Sequence, residues 1–297
     1  MSYDLFFKGR DAAAAPRTAA EFTQYFSSRP RYRVDGTQAW YGNPDTGVSF
    51  SFQLVEADQP EDGAEDADMA EPDAWAHFEL AYARPHFFAL EAIEELTAFV
   101  AAFDLVVDDP QAEESGVGEF VAARFIANWT AGNQAAVSAI ELPEGARFST
   151  LPAATLEAVW RWNFRREAFQ QELGAKIFVP RIVFFKRGER PQSGIVWTDA
   201  IPAVLPQTDF VVLWRERLAP RKFFMRATDF VVVDWSVIAP FVSSFPRTET
   251  PLPFYTLRYE KPPTALLDFV TGQPPSTVKP EALRHEHVLS DELAARA

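Results

Sequence analysis

Residues 176–235 constrain the fold of this chain more than any other stretch. There, β-branched and aromatic runs are cut to strand length by Gly, Pro and charge clusters: KIFVPRIVFFKRG, SGIVWTDAIPAVLPQTDFVVLWRER and RKFFMRATDFVVVDW. Runs of this composition predict a mostly antiparallel sheet buried on at least one face. The word Thr-Asp-Phe-Val-Val occurs twice, at residues 208–212 and 228–232, and each copy leads to a tryptophan, Trp214 or Trp235. Two copies do not make a solenoid. Equivalent strands of one sheet account for them.

The first part of the chain reads as a separate small unit. Residues 2–8 predict a strand. Residues 18–28 predict a helix, with Thr18 and Glu21 spaced as a capping box and Phe22, Tyr25 and Phe26 on one face. Residues 32–41 read as a second strand, and Asn43-Pro44-Asp45-Thr46-Gly47 as a turn. In residues 48–55 the alternation puts Val48, Phe50, Phe52 and Leu54 on one side. A strand at 75–83 sets His77, Glu79 and Ala81 opposite Phe78, Leu80 and Tyr82; a helix at 89–103 and a short strand at 105–107 follow. The expected order is β-α-β-β-β-α-β over residues 1–110.

Residues 108–118 (DDPQAEESGVG) read as a linker. The second domain, residues 118–297, opens with a helical pair. The first helix covers 119–130 and resumes at 133–140 past a break at Gly132. The second covers 155–173, capped by Thr155 and closed by Gly174. The larger sheet follows, then a short helix over 263–271 and a polar C-terminal tail from residue 272. The fold class is α+β.

The 27 Phe and 8 Trp supply enough buried surface for a core without cross-links. There is no cysteine, which excludes disulfides, thiolate metal sites and thiol nucleophiles and fits a reducing compartment. The start carries an acid at position 4 and lacks the apolar core of a secretory signal; no apolar run reaches membrane length. The cytoplasm is the expected location.

Net charge is −14 and unevenly spread. Residues 1–150 hold 9 Lys+Arg against 26 Asp+Glu, and residues 151–297 hold 19 against 16. Nine of those acids fall within residues 56–73. Glu61, Asp62, Glu65, Asp66, Asp68, Glu71 and Asp73 are therefore the candidate partner-binding residues, suited to steering a basic protein. Nucleic acid is disfavoured by the same charge. Basic residues between Arg161 and Arg190 interleave with aromatics, but complementing the acidic half, within the molecule or in a symmetric partner, explains them more simply.

No motif assembles a catalytic or cofactor site. His285-Glu286-His287 would place two imidazoles on one face of a strand and could chelate a metal, yet lacks a third ligand nearby. His77 and His86 flank an aromatic strand and read as structural. Gly116-Val117-Gly118 imitates a dinucleotide loop, but Val121 stands where the third glycine belongs. Asp73 followed by Glu79 suggests a nuclease, but Ala81 stands where a lysine is wanted. Asp199, Asp209, Asp229 and Asp234 fall near strand ends and could cluster on a divalent ion.

The opening MSYDLFF and the passage AWYGNPDTGVSFSF resemble uncharacterised bacterial proteins, some of them neighbours of toxin systems. The resemblance covers the first 55 residues and implies an immunity-type protein. The expectation is a non-enzymatic cytoplasmic protein-binding protein, without cofactor or metal and with a basic partner. The alternatives are a metal-dependent hydrolase or nuclease using the four sheet-end aspartates, and a structural or scaffold subunit. A homo-oligomer stays open.

Overall fold

The computed structural model describes residues 1–11, 18–55, 74–112, 116–222, 225–226, 228–250 and 252–295. The fold is α+β. Two compact units make it up: Met1–Arg147 with Glu292–Ala297, and Phe148–Asp291. No helix of the described residues is long and apolar enough to cross a membrane.

The first unit contains β1 (Ser2–Gly9), α1 (Ala19–Ser27), β2 (Tyr32–Asp35), β3 (Gln38–Gly42), β4 (Ser49–Leu54), β5 (Ala76–Ala81), α2 (Phe87–Phe103), β6 (Leu105–Asp108), β7 (Val117–Gly118) and α3 (Ala122–Ser138). Its strands form one antiparallel sheet in the order β2-β3-β4-β5-β1-β6-β7. Alternation decides which face is buried. Tyr3, Leu5 and Phe7 of β1, Phe50, Phe52 and Leu54 of β4, and Ala76, Phe78 and Leu80 of β5 all point the same way and are buried. Phe26 of α1 and Phe99 of α2 close on Phe52, with centroids 4.9 and 4.8 Å from it and 5.4 Å from each other. Burial of each such ring contributes roughly 1.5–3 kcal/mol. The capping box at Thr18 and Glu21 is present and starts α1 as expected.

Several expectations are corrected. Residues 32–41 form a hairpin, because Gly36, at φ +59°, turns the chain between Asp35 and Gln38. Helix α3 runs through Gly132 without a break. Glycine is needed there for space: a β-carbon at 132 would lie 2.5 Å from Cζ of Tyr82. Next to it, buried Asn133 clasps the backbone of Arg84, accepting its N–H at 3.1 Å and donating to its carbonyl at 2.9 Å. With Phe125 against Tyr3 at 5.5 Å, α3 belongs to the first unit and not to the second part expected from residue 118.

The second unit contains β8 (Ser149–Leu151), α4 (Ala153–Leu173), β9 (Val183–Lys186), β10 (Pro191–Thr198), β11 (Ala203–Pro206), β12 (Phe210–Arg215), β13 (Arg221–Lys222), β14 (Met225–Arg226), β15 (Asp229–Asp234), α5 (Trp235–Val242), β16 (Arg247–Thr248), β17 (Phe254–Leu257), α6 (Thr264–Gly272), β18 (Glu281–Leu283) and β19 (Val288–Ser290). A last turn, α7 (Asp291–Ala294), follows. The main sheet, β15-β12-β10-β9-β18, is antiparallel except between β10 and β12. Those two run parallel because the chain between them departs to build β11 into a second sheet with β17 and β16. The repeated words occupy neighbouring antiparallel strands, and their fifth residues, Val212 and Val232, face each other.

Helix α4 starts at Ala153, so Thr155 lies in its first turn and does not cap it. Fully buried Asn163 on α4 holds Ile182 as Asn133 holds Arg84, with both bonds at 2.9 Å. The expected polar tail is part of the fold: β18 pairs with β9, β19 pairs with β8, and Val288 and Leu289 are buried. Three-residue strands are too short for periodicity to reveal.

In an exposed helix interior Gly→Ala stabilises by about 1 kcal/mol. Gly132→Ala is expected to reverse that sign, lowering unfolding stability by about 1–3 kcal/mol through overpacking against Tyr82. Urea denaturation checks it, and adding Tyr82→Leu should recover most of the loss.

Candidate functional site

Glu61, Asp62, Glu65, Asp66, Asp68, Glu71 and Asp73 lie outside the described residues. The stem that carries them is well defined. Leu54 of β4 pairs with Ala76 of β5, the Val55 N–H donates to the Trp75 carbonyl at 3.0 Å, and the Trp75 N–H donates to the Phe7 carbonyl at 2.8 Å. The acidic segment thus departs from the middle of the first unit's sheet.

That sheet has a second face. The helix residues that pack on the sheet, Phe26, Phe99 and Phe125, all meet the face carrying Tyr3, Phe52 and Phe78. The strand register arranges the opposite face in rows. One runs Arg33, Trp40, Ser51, Glu79, Asp4; the next runs Asp35, Gln38, Gln53, His77, Phe6, Asp108. Trp40 is 43% exposed, and Glu79 is exposed with no partner among the described residues. Asp4 sits directly opposite Glu79, a like-charge pairing that costs stability. His77 offsets part of it: its Nε2 is 2.8 Å from Asp4 Oδ1 and its ring stacks on Phe6 at 4.8 Å. Ser51 stands between Trp40 and Glu79 in this row and is only 7% exposed, so its neighbours cover it; Trp40 and Glu79 are two strand spacings apart, roughly 10 Å. Sequence reading placed His77 and Glu79 on this side of their strand. It missed Trp40 and Asp4, which only the register brings beside them.

Two carboxylates of α2 are structural. Glu91 on α2 is buried and accepts from Tyr41 Oη at 2.7 Å, Asn43 Nδ2 at 2.7 Å and Thr46 Oγ1 at 3.2 Å. It thereby ties the Asn43–Gly47 turn to the helix. Burial, and then the charge of Glu91, raise the Tyr41 phenol far above its ordinary range. Glu95, one helical turn on, takes Arg29 at 2.8 Å and the Tyr32 hydroxyl at 3.1 Å.

The four aspartates of the second unit do not converge. Asp209 and Asp234 stand at the start of β12 and the end of β15, while Asp199 and Asp229 stand at the opposite end of the sheet. A six-residue strand, roughly 20 Å long, separates the pairs. Each has its own occupation. Asp209 accepts from Ser193 N–H and Oγ at 2.6 and 2.8 Å, Asp234 pairs with Arg187, and Asp199 accepts three backbone N–H groups at residues 216–218. Asp229 pairs two-pronged with Arg215, at 2.7 and 2.9 Å. Arg215 is completely buried, and its Nη1 donates to the carbonyls of Val270 and Gln273 at 2.9 Å, at the electronegative end of α6. Among the described residues no group of three His, Asp or Glu side chains could hold a metal ion.

The His285–His287 pair is also separated. These residues form a 3-10 turn and not a strand, so positions two apart point to different sides. His287 is exposed. His285 is buried against Phe184 at 4.8 Å, and its Nε2 has no partner. Gly116-Val117-Gly118 lies at the sheet edge, where β7 pairs with β6.

The sequence matches no protein-family model, and no curated protein or solved structure is similar to it.

Arg215→Met is expected to cost about 3–5 kcal/mol, since it leaves the Asp229 carboxylate and the α6 carbonyls unpaired. Arg215→Met with Asp229→Asn should cost less than the sum of the single changes, which chemical denaturation of all three variants measures. His285 gives a pH prediction. Burial, then the nearby Arg181 charge, lower its pKa from 6.5 to about 4, against a raising hydrogen bond with the Ile182 backbone. Between those values the unfolded chain binds the proton and the folded chain does not, so stability falls as pH drops from 6.5 towards 4. Denaturation at pH 7 and pH 4.5 should show the wild type losing about 2–3 kcal/mol more than His285→Gln.

Proposed function

We propose that this chain is a non-enzymatic binding protein for a basic protein partner, and that the open face of the first unit's sheet, together with the acidic segment on the β4–β5 stem, receives it. The observation that carries this reading is the exposure of Trp40 and Glu79 in one row of that face. A partner's basic side chains meet both: an arginine stacks its guanidinium on the exposed part of the Trp40 indole, and a cation pairs with the Glu79 carboxylate, which has no partner among the described residues. Tryptophan and arginine dominate the energetics of protein interfaces, mostly through enclosed contacts. The nine acids of residues 56–73 act at longer range, speeding encounter without adding much to the contact itself. A toxin held inactive by an immunity-type protein is a partner of this chemistry, and the resemblance of the first 55 residues favours it. The hydrolase alternative would need the sheet-end aspartates at one point, and they stand at both ends of β12.

Capture from a lysate of the source organism tests the proposal. The full chain should retain a basic protein at 50 mM salt and release it at 500 mM; Trp40→Ala and Glu79→Lys should each weaken retention at least tenfold. Changing the seven acids from Glu61 to Asp73 to Ser or Asn should slow association and flatten its salt dependence, leaving dissociation nearly unchanged. A captured set that ignores these changes, or that is not basic, overturns it.

A further inference from the structure

The second unit has a cleft that its ion pairs and sheets leave unfilled. Its volume is about 180 Å³, and it lies between one face of α4 and the edge strand β16. Arg161, Arg165, Phe169 and Glu172 follow one another along that face at spacings of four, four and three residues. Across from them stand Thr248 and its cross-strand neighbour Phe254. The floor is aromatic. Trp162, Phe169 and Phe254 meet edge to face in all three pairings, at 5.5–5.9 Å. Trp162 is buried with its indole N–H donated to the Pro180 carbonyl at 2.8 Å, so the ring cannot turn away and the floor is preformed.

The charges at the rim are not equivalent. Arg161 is paired with Glu157 one turn back. Arg165 and Glu172 both line the cleft, and neither has a partner among the described residues. Seven residues of helix, about 10 Å, separate them, so the cleft has one anion-seeking end and one anion-repelling end.

We propose that this cleft binds a small molecule consisting of one planar apolar ring and a carboxylate. The ring lies on Phe169 and Phe254, and the carboxylate is taken by the guanidinium of Arg165, whose two parallel N–H groups match its two oxygens. Thr248 lines the same space and brings a hydroxyl that can donate as well. Size sets the class. An apolar protein cavity of about 150 Å³ holds a benzene molecule; the volume here takes one ring with a short acidic arm and is too small for a nucleotide. The distance between Arg165 and Glu172 fixes the orientation, since a carboxylate at the Glu172 end would be repelled. This proposal concerns the second unit and stands apart from the protein-binding face of the first.

Phenylacetate is the probe, with phenylacetamide as its uncharged counterpart, and titration calorimetry on the full chain is the measurement. Phenylacetate is expected to bind, and the amide to bind about tenfold or more weakly, the usual weight of one charge-assisted pair. Arg165→Gln should weaken phenylacetate about tenfold and leave the amide unchanged. Phe169→Ala should weaken both. Arg165 is exposed and unpaired, so Arg165→Gln should unfold at the wild-type temperature, which separates loss of binding from loss of fold. The proposal fails if phenylacetate does not bind at millimolar concentration, if acid and amide bind alike, or if Arg165→Gln binds phenylacetate as the wild type does.

Discussion

Side-chain parity governs the first unit. In an extended chain successive residues point to opposite faces, so one choice of register decides for a whole strand what is dry and what is wet. β1, β4 and β5 each spend their large apolar residues on one parity, and the registers Leu5–Phe78 and Phe52–Phe78 bring those residues into one layer beneath α1 and α2. A slip of one residue would bury Asp4, Glu79 and Gln53 and expose Phe78 and Phe52. With several aromatic rings at stake, each worth roughly 1.5–3 kcal/mol, no such slip is tolerable. The same rule makes the other face polar and open, which is why Trp40, standing 43% exposed there, has meaning.

Apolar burial sets the layers, and a few buried polar groups fix how the pieces join. Glu91 binds a turn to a helix, and Arg215 binds two strands to the end of another. Asn133 and Asn163 each satisfy both backbone groups of one residue outside regular pairing. Groups like these add little net stability when complete and cost heavily when broken, so their effect is to exclude alternative arrangements.

Much of this was legible in the residues. Alternation in residues 48–55 located β4, the Thr18–Glu21 spacing located the start of α1, and the twin words at 208–212 and 228–232 did mark neighbouring strands. What escaped depended on distant partners or on single glycines. Gly36 makes a turn inside what reads as one strand. Gly132 looks like a helix break and is a seat for the Tyr82 ring. β18 and β19 are three residues each and take their identity from β9 and β8. The candidate face was half legible for the same reason: period two shows that Glu79 and His77 share a side, but nothing local shows that Trp40 lies across from them.

The two asparagine clasps make the molecule dependent on a single atom type at two places. Spontaneous hydrolysis of the amide, the ordinary ageing reaction of asparagine, would replace a donating nitrogen with a carboxylate oxygen facing the carbonyl of Arg84 or Ile182. Attraction would become repulsion at sites only 2% and 0% exposed. Both asparagines lie inside helices, α3 and α4, whose hydrogen-bonded backbone holds the following residue's nitrogen away from the side-chain amide, so the elements that aim the two clasps also shield them from that reaction.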